Sequence, residues 1–117
     1  MRALNGATQW PAAQCMVHAA ATVSFAQAEI ANPTVQSMLE GNKNLRFLKA
    51  NGDIGLHYSY VGPWSELRLG VYWDGSWASR PDGASQGGHM VVTIHDARIG
   101  DGTPTPLVII DWQSWKQ

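Results

Sequence analysis

The sequence predicts a mixed α/β fold of the α+β kind, with helices first and antiparallel strands after them. Three observations predict it. Apolar residues recur at helical spacing before residue 51 and alternate after it. Gly, Pro and Asn then cluster at intervals, as they do between short strands. Five of the six tryptophans (Trp64, Trp73, Trp77, Trp112 and Trp115) also lie in this second part, which suggests sheet faces that something else should cover. Residues 1–52 therefore read as a helical region and residues 53–117 as a strand region.

The first helical segment carries Trp10. Pro11 is expected to break or kink it, because proline lacks an N–H and its ring crowds the preceding turn. Between Val17 and Ile30, the residues Val17, Ala20, Ala21, Ser24 and Ala28 share a face of mostly small side chains, which lets a neighbour approach closely. Asn32-Pro33 reads as a stop followed by a new start, with Asn as the cap and Pro at the first helical position. The next helix is expected over 34–50, with Val35, Met38, Leu39, Leu45 and Leu48 inward. Lys43, Arg46 and Lys49 share a sector of its other side, and Asn51-Gly52 ends it.

Strands are expected at about 54–60, 67–74, 86–95 and 107–115. Gly62-Pro63 separates the first two, and Arg80-Pro81-Asp82-Gly83 lies in the longer loop before the third. Gly100-Asp101-Gly102, with Pro104 and Pro106, marks the turn before the last. Along 67–74, Leu67, Leu69, Val71 and Trp73 take one face, and Leu67, Leu69 and Val71 are expected to anchor the strand in the core. Arg68, Tyr72 and Asp74 take the other face.

Composition narrows the function. The chain has 117 residues, 44% hydrophobic and 15% charged, which suits one modest core and excludes a disordered tail. A formal net charge of −1 excludes a uniformly basic nucleic-acid binder, although a local basic patch remains open. Cys15 is the single cysteine, so there is neither an internal disulfide nor a Cys-rich zinc site. The expected setting is intracellular, with Cys15 a buried, inert thiol. Gln14, His18, Ser24 and Gln27 interrupt the longest apolar stretches well short of the ~18 residues of a membrane span.

Most of the chemistry lies in Val71-Tyr72-Trp73-Asp74-Gly75-Ser76. A carboxylate at the end of an apolar strand suits a divalent cation such as Mg²⁺, which takes one or two fixed carboxylates with water and phosphate oxygens. The same Asp-Gly pair also suits a turn in which the carboxylate bonds its own backbone. Lys43, Arg46 and Lys49 are candidates to track a phosphate backbone, or else a solvated helix face. Asp96 and Asp111 are candidates to approach Asp74 across the sheet, or else to solubilise strand ends. His89 and His95 lie six residues apart on one side of a strand, a separation of about 20 Å, so they cannot share a metal ion. His18 and His57 carry no spacing argument.

Asp74-Gly75-Ser76, entered from an apolar strand and followed by a strand opening with Gln86-Gly87-Gly88, resembles the first hairpin of the ribonuclease H fold. The run from Trp73 to Ala78, and on through Asp82 to Gly88, is similar to that hairpin in copia-type retrotransposon Pol polyproteins. Three further segments match in the same order. Leu4-Asn5-Gly6-Ala7 with Trp10, then Ala19 to Ser24, resembles the helices after the reverse transcriptase palm. Asn42-Lys43 with Leu45 to Lys49 resembles the connecting helix, and Ile110-Asp111-Trp112-Gln113-Ser114 the third ribonuclease strand. The sequence departs from the family at Gln14-Cys15-Met16-Val17-His18, where an Arg-Pro-Asp stretch is usual, and at Trp73, where a small polar residue is common.

The resemblance implies a helical connection over 1–52 and the first part of a ribonuclease H-like domain over 53–117. It implies hydrolysis of the RNA strand of an RNA–DNA hybrid with Mg²⁺ or Mn²⁺, in the cytoplasm or a virus-like particle. Asp74 matches the first catalytic, metal-binding carboxylate. The family's next is a Glu on a helix after the third strand, so the isolated chain is expected to be inactive. Val108, Ile110 and Trp112 are expected to stand exposed where that helix would lie, and to drive self-association. The alternative is a non-catalytic α+β module that binds nucleic acid or protein.

Overall fold

A computed structural model describes residues 1–80 and 82–117. Three helices precede a three-stranded antiparallel sheet, as the α+β reading expects. Helix α1 spans Arg2–Gln14, α2 spans Ala20–Ala28 after a single 3-10 turn at Val17–Ala19, and α3 spans Val35–Ala50. Strands β1 (Leu67–Ser76), β2 (Gln86–His95) and β3 (Leu107–Lys116) lie in the order β1-β2-β3.

Pro11 sits inside α1 and does not break it. Its fixed φ suits a helix, and the missing N–H costs one bond in the last turn, where the Pro11 carbonyl still accepts from the Cys15 and Met16 amides. Asn5 and Thr8 are fully buried on the inner face of α1. The Asn5 side-chain amide donates to the Ala26 carbonyl at 2.8 Å, tying α1 to the end of α2. Around that tie, Ala12, Met16, Ala19, Val23 and Leu48 form the apolar cluster of the helical layer, with Cys15 half-buried against it.

The start of α3 differs from expectation. The cap is Thr34, not Asn32, so Pro33 precedes the helix instead of opening it. Thr34 and Ser37 close a reciprocal capping box, which satisfies two amides that Asn-Pro could not reach. The expected apolar stripe faces inward only in its second half, at Leu48 and, half-buried, at Leu45. Val35, Met38 and Leu39 are exposed, whereas Ser37, Gly41 and Leu48 are buried. The Leu4 side chain lies so close to Gly41 that the contact selects a small residue there, turning the inner face toward Ser37 and Gly41.

The strand expected at 54–60 does not form. Ile54, Leu56, Tyr58 and Tyr60 alternate as a strand would, but the segment pairs with neither edge of the sheet and stays irregular. The other three strands form within a residue or two of their expected limits. The register pairs Asp74 with Gly88 and Gly88 with Ser114 on one face. On the other face Trp73, His89 and Gln113 stand in a row. A bulge between Val91 and Val92 slips the β3 register by one residue, whereas β1 pairs without interruption.

Leu69 and Val71 do not anchor β1 in the core: they are 66% and 60% exposed. β1 is an edge strand, and the helices cover the sheet chiefly over β3. The expected exposure of the last strand is corrected as well. Val108 is buried and Trp112 half-buried, its indole N–H donating to the Ala12 carbonyl at 2.8 Å; only Ile110 is exposed. The small face of α2 meets the sheet only in part: Ser24 bonds Gln86 at the start of β2, whereas Ala21 and Ala28 are exposed and the buried residues of α2 are Val23 and Ala26. In the loop before β2, Arg80 and Gly83 close a turn by a 2.9 Å amide–carbonyl bond; Pro81, expected in that turn, lies outside the described residues.

Two glycines are dictated by close approach. Gly62, at φ +136°, lies under the His95 ring. Gly87 lies under the Trp115 indole, and a Cβ there would sit 2.9 Å from the ring. Gly87→Ala is therefore expected to destabilise the fold by about 1–3 kcal/mol, the usual cost of overpacking. Urea unfolding of the two proteins side by side measures it, and unchanged stability would mean that Trp115 swings clear without cost.

Candidate functional site

Asp74 stands near the end of β1, opposite Gly88 and on the face that the helices cover. Its carboxylate is exposed and accepts the next residue's amide, Gly75 N–H, at 2.8 Å. The turn role is therefore made. The carboxylate also borders an open groove of about 480 Å³ between the sheet and the start of α2, lined by Val17, Ala20, Ala21, Met90 and Trp112. Gly88 has no side chain, so no β2 side chain stands directly opposite Asp74 on that face.

The other carboxylates do not join it. Asp96 pairs with Arg68 at 2.9 Å. Asp111 lies in register with Val91, which puts it on the opposite face of the sheet, where it meets His89 at 3.1 Å. His95 takes Glu66 at 2.8 Å, so the two strand histidines have separate carboxylate partners. His18 packs edge-on against Phe47, with ring centroids 5.5 Å apart. Among the described residues, no three His, Cys, Asp or Glu side chains gather where a metal ion could be held. The implied pair of Mg²⁺ or Mn²⁺ ions, about 3.5–4 Å apart, needs several shared carboxylates, and Asp74 with one oxygen already engaged does not fit it alone.

Lys43, Arg46 and Lys49 project from the exposed side of α3, which packs on α1 and α2. Lys43 is partly neutralised by Glu40 at 2.7 Å, and its hydrogen bond holds the Glu40 carboxyl below the usual range. Arg46 and Lys49 have no ion-pair partner among the described residues.

A second cluster was not legible in the sequence. Arg80, only 4% exposed, donates to the Ser24 carbonyl at 3.0 Å and to the Gln86 side chain, and lies over the Phe25 ring at 4.6 Å. Gln86 in turn reaches the Ser24 and Ser114 hydroxyls. The residues come from α2, the loop, β2 and β3, so no sequence spacing could announce them. A cavity of about 420 Å³ adjoins them, lined also by Gln9, Gln27 and Lys116. The aromatics of the second part are the other feature: Tyr60, Trp64, Trp73 and Trp77 are each at least 80% exposed.

No described helix is long and apolar enough to cross a membrane. The chain matches no protein-family model, no curated protein and no solved structure.

Lys116 at the end of β3 bonds Asp82 in the loop before β2. That bond, with the Ala84 amide, holds the Asp82 carboxyl below its ordinary range. A depressed folded-state value means that the pair's stabilisation is present at neutral pH and is lost as pH falls through the acid range. In Lys116→Met the Asp82 carboxyl is expected to titrate at higher pH than in the parent. Carboxyl-carbon NMR measures it, and an unmoved titration would place the cause in the Ala84 amide alone.

Proposed function

We propose that this chain is the connection and first ribonuclease H-like part of a copia-type retrotransposon polyprotein. Its family hydrolyses the RNA strand of RNA–DNA hybrids with Mg²⁺ or Mn²⁺, inside the cell. Asp74 is the residue it contributes to that reaction, and the chain by itself is inactive. The observation that carries this reading is the place of Asp74: near the end of the first of three antiparallel strands, beside Gly88, on the helix-covered face and open to a groove. The lone carboxylate agrees with a contribution to a larger site and not with a complete one.

The second reading, a non-catalytic binding module, is favoured by the exposed aromatics of the sheet region and the exposed cations of α3. Indole and phenol faces stack on bases without reading sequence, and Lys or Arg neutralises phosphates. The two readings separate on one protein. Joined to the Glu-bearing helix and Asp-bearing strand of a copia-type ribonuclease H, the chain is expected to cut the RNA of a hybrid when Mg²⁺ or Mn²⁺ is present. Asp74→Asn removes one charge at nearly constant shape and is expected to abolish the cutting with an unchanged circular dichroism spectrum. Cutting by that variant at the parent rate overturns the assignment of Asp74, and hybrid binding without cutting by the joined parent favours the binding module.

For Lys43, Arg46 and Lys49 the expected signature is salt dependence. If they neutralise phosphates, replacing all three by Gln lowers the slope of log affinity against log salt by about one for each phosphate left without its cation. Lys43 shares its charge with Glu40, so Arg46 and Lys49 carry more of the change. Equal slopes for both proteins would make this side of α3 a plain solvated face.

A further inference from the structure

Among the described residues nothing pairs with either outer edge of the sheet, and the two edges differ. β3 carries the bulge at its middle, which twists an edge away from further pairing. β1 is regular over all ten residues, and among the described residues no backbone group outside β2 pairs with it between Arg68 and Gly75. Along it Leu69, Val71 and Trp73 present an apolar row on one face, with Trp73 80% exposed. A long, regular, apolar edge is the kind that pairs with another strand, because its outward N–H and C=O groups have only water to bond.

The sequence of that edge is complementary to itself. Laid antiparallel against a second copy about Val71, Arg68 falls opposite Asp74 and Asp74 opposite Arg68. Leu69 then falls opposite Trp73, and Val71 opposite Val71. Residues 68 and 74 lie on the helix-covered face and 69, 71 and 73 on the other, so charges meet charges and apolar groups meet apolar groups. A slip of one residue sets the two faces against each other. A slip of two places Asp74 opposite Glu66 or Gly70 and leaves Arg68 without a carboxylate opposite it. One register therefore satisfies both the charge and the apolar pattern. Arg68 holds Asp96 within the chain, but that pair is half-exposed and contributes little, so the guanidinium is free to turn.

The geometry points to a two-fold dimer in which β1 pairs antiparallel with β1 of a second copy, centred on Val71 and closed by two Arg68–Asp74 ion pairs. The sheet then runs continuously over six strands, and the apolar row of β1 lies against its own counterpart on the same face. This inference stands apart from the nuclease reading, and its readout is association, not cleavage.

Charge reversal tests it by analytical ultracentrifugation of the full chain over a range of concentrations. The parent is expected to dimerise reversibly. Arg68→Asp sets two pairs of carboxylates opposite each other, and Asp74→Arg sets two pairs of guanidinium groups; each is expected to weaken the dimer about tenfold or more. The double variant R68D/D74R restores both pairs with the signs exchanged and is expected to recover association. An equimolar mixture of the single variants is likewise expected to form the heterodimer. A parent that stays monomeric, single variants that associate as the parent does, or a double variant no better than either single one would each overturn the proposal. Recovery in the mixture also shows that the single variants are folded.

Discussion

The arrangement rests on a polar junction between the helical layer and the sheet. Arg80 sits nearly sealed from water, with the Ser24 carbonyl, the Gln86 side chain and the Phe25 ring around its guanidinium. A buried charge is costly unless its donors are met, and here carbonyl and amide oxygens and a ring face meet them without any carboxylate among the described residues. Gln86 passes the connection on to Ser24 and Ser114, and the Trp112 indole adds a bond to Ala12. Hydrogen bonds are directional, so this junction sets where α2 lies over β2 and β3. The apolar cluster cannot do so, because its members all belong to the helices and the turn between them.

That division explains where the sheet is covered and where it is bare. The ties reach the sheet at Gln86 and Trp112, so the helices settle over the central and last strands. β1 is left at the margin, with water on its outer edge. Asp74 inherits both properties. A regular ladder to β2 holds its backbone, yet its side chain is exposed beside the groove. A fixed backbone with a solvated carboxylate suits a residue that completes a larger site, or one that meets a cation on another strand.

Polar pairs around the rim keep the remaining charges apart. His89 with Asp111, His95 with Glu66, Arg68 with Asp96 and Lys116 with Asp82 each satisfy a charged or titratable group locally. Such exposed pairs add little stability. Their effect is to commit carboxylates that would otherwise be free to gather. Asp111 is the clearest case, since its place in the register puts it on the opposite face from Asp74 whatever its side-chain rotamer.

Much of the fold was legible in the sequence. The helix-then-strand order, three of the strands and the end of α3 at Asn51 all follow from local periodicity and turn residues, which act over a few neighbours. Asp74 was legible as a strand-end carboxylate for the same reason. What local pattern could not supply was partnership. Residues 54–60 alternate as well as β1 does but pair with neither edge of the sheet, so they remain irregular. Val35, Met38 and Leu39 are as apolar as core residues, but the close approach of Leu4 to Gly41 turned them outward. Arg80 reads in sequence as a loop residue, and only the meeting of α2, β2 and its own loop makes it the buried centre of the junction. Periodicity determined which segments are helix or strand, because it is a property of each segment alone. The tertiary structure decided which faces are buried and which charges meet, because burial and pairing belong to two segments at once.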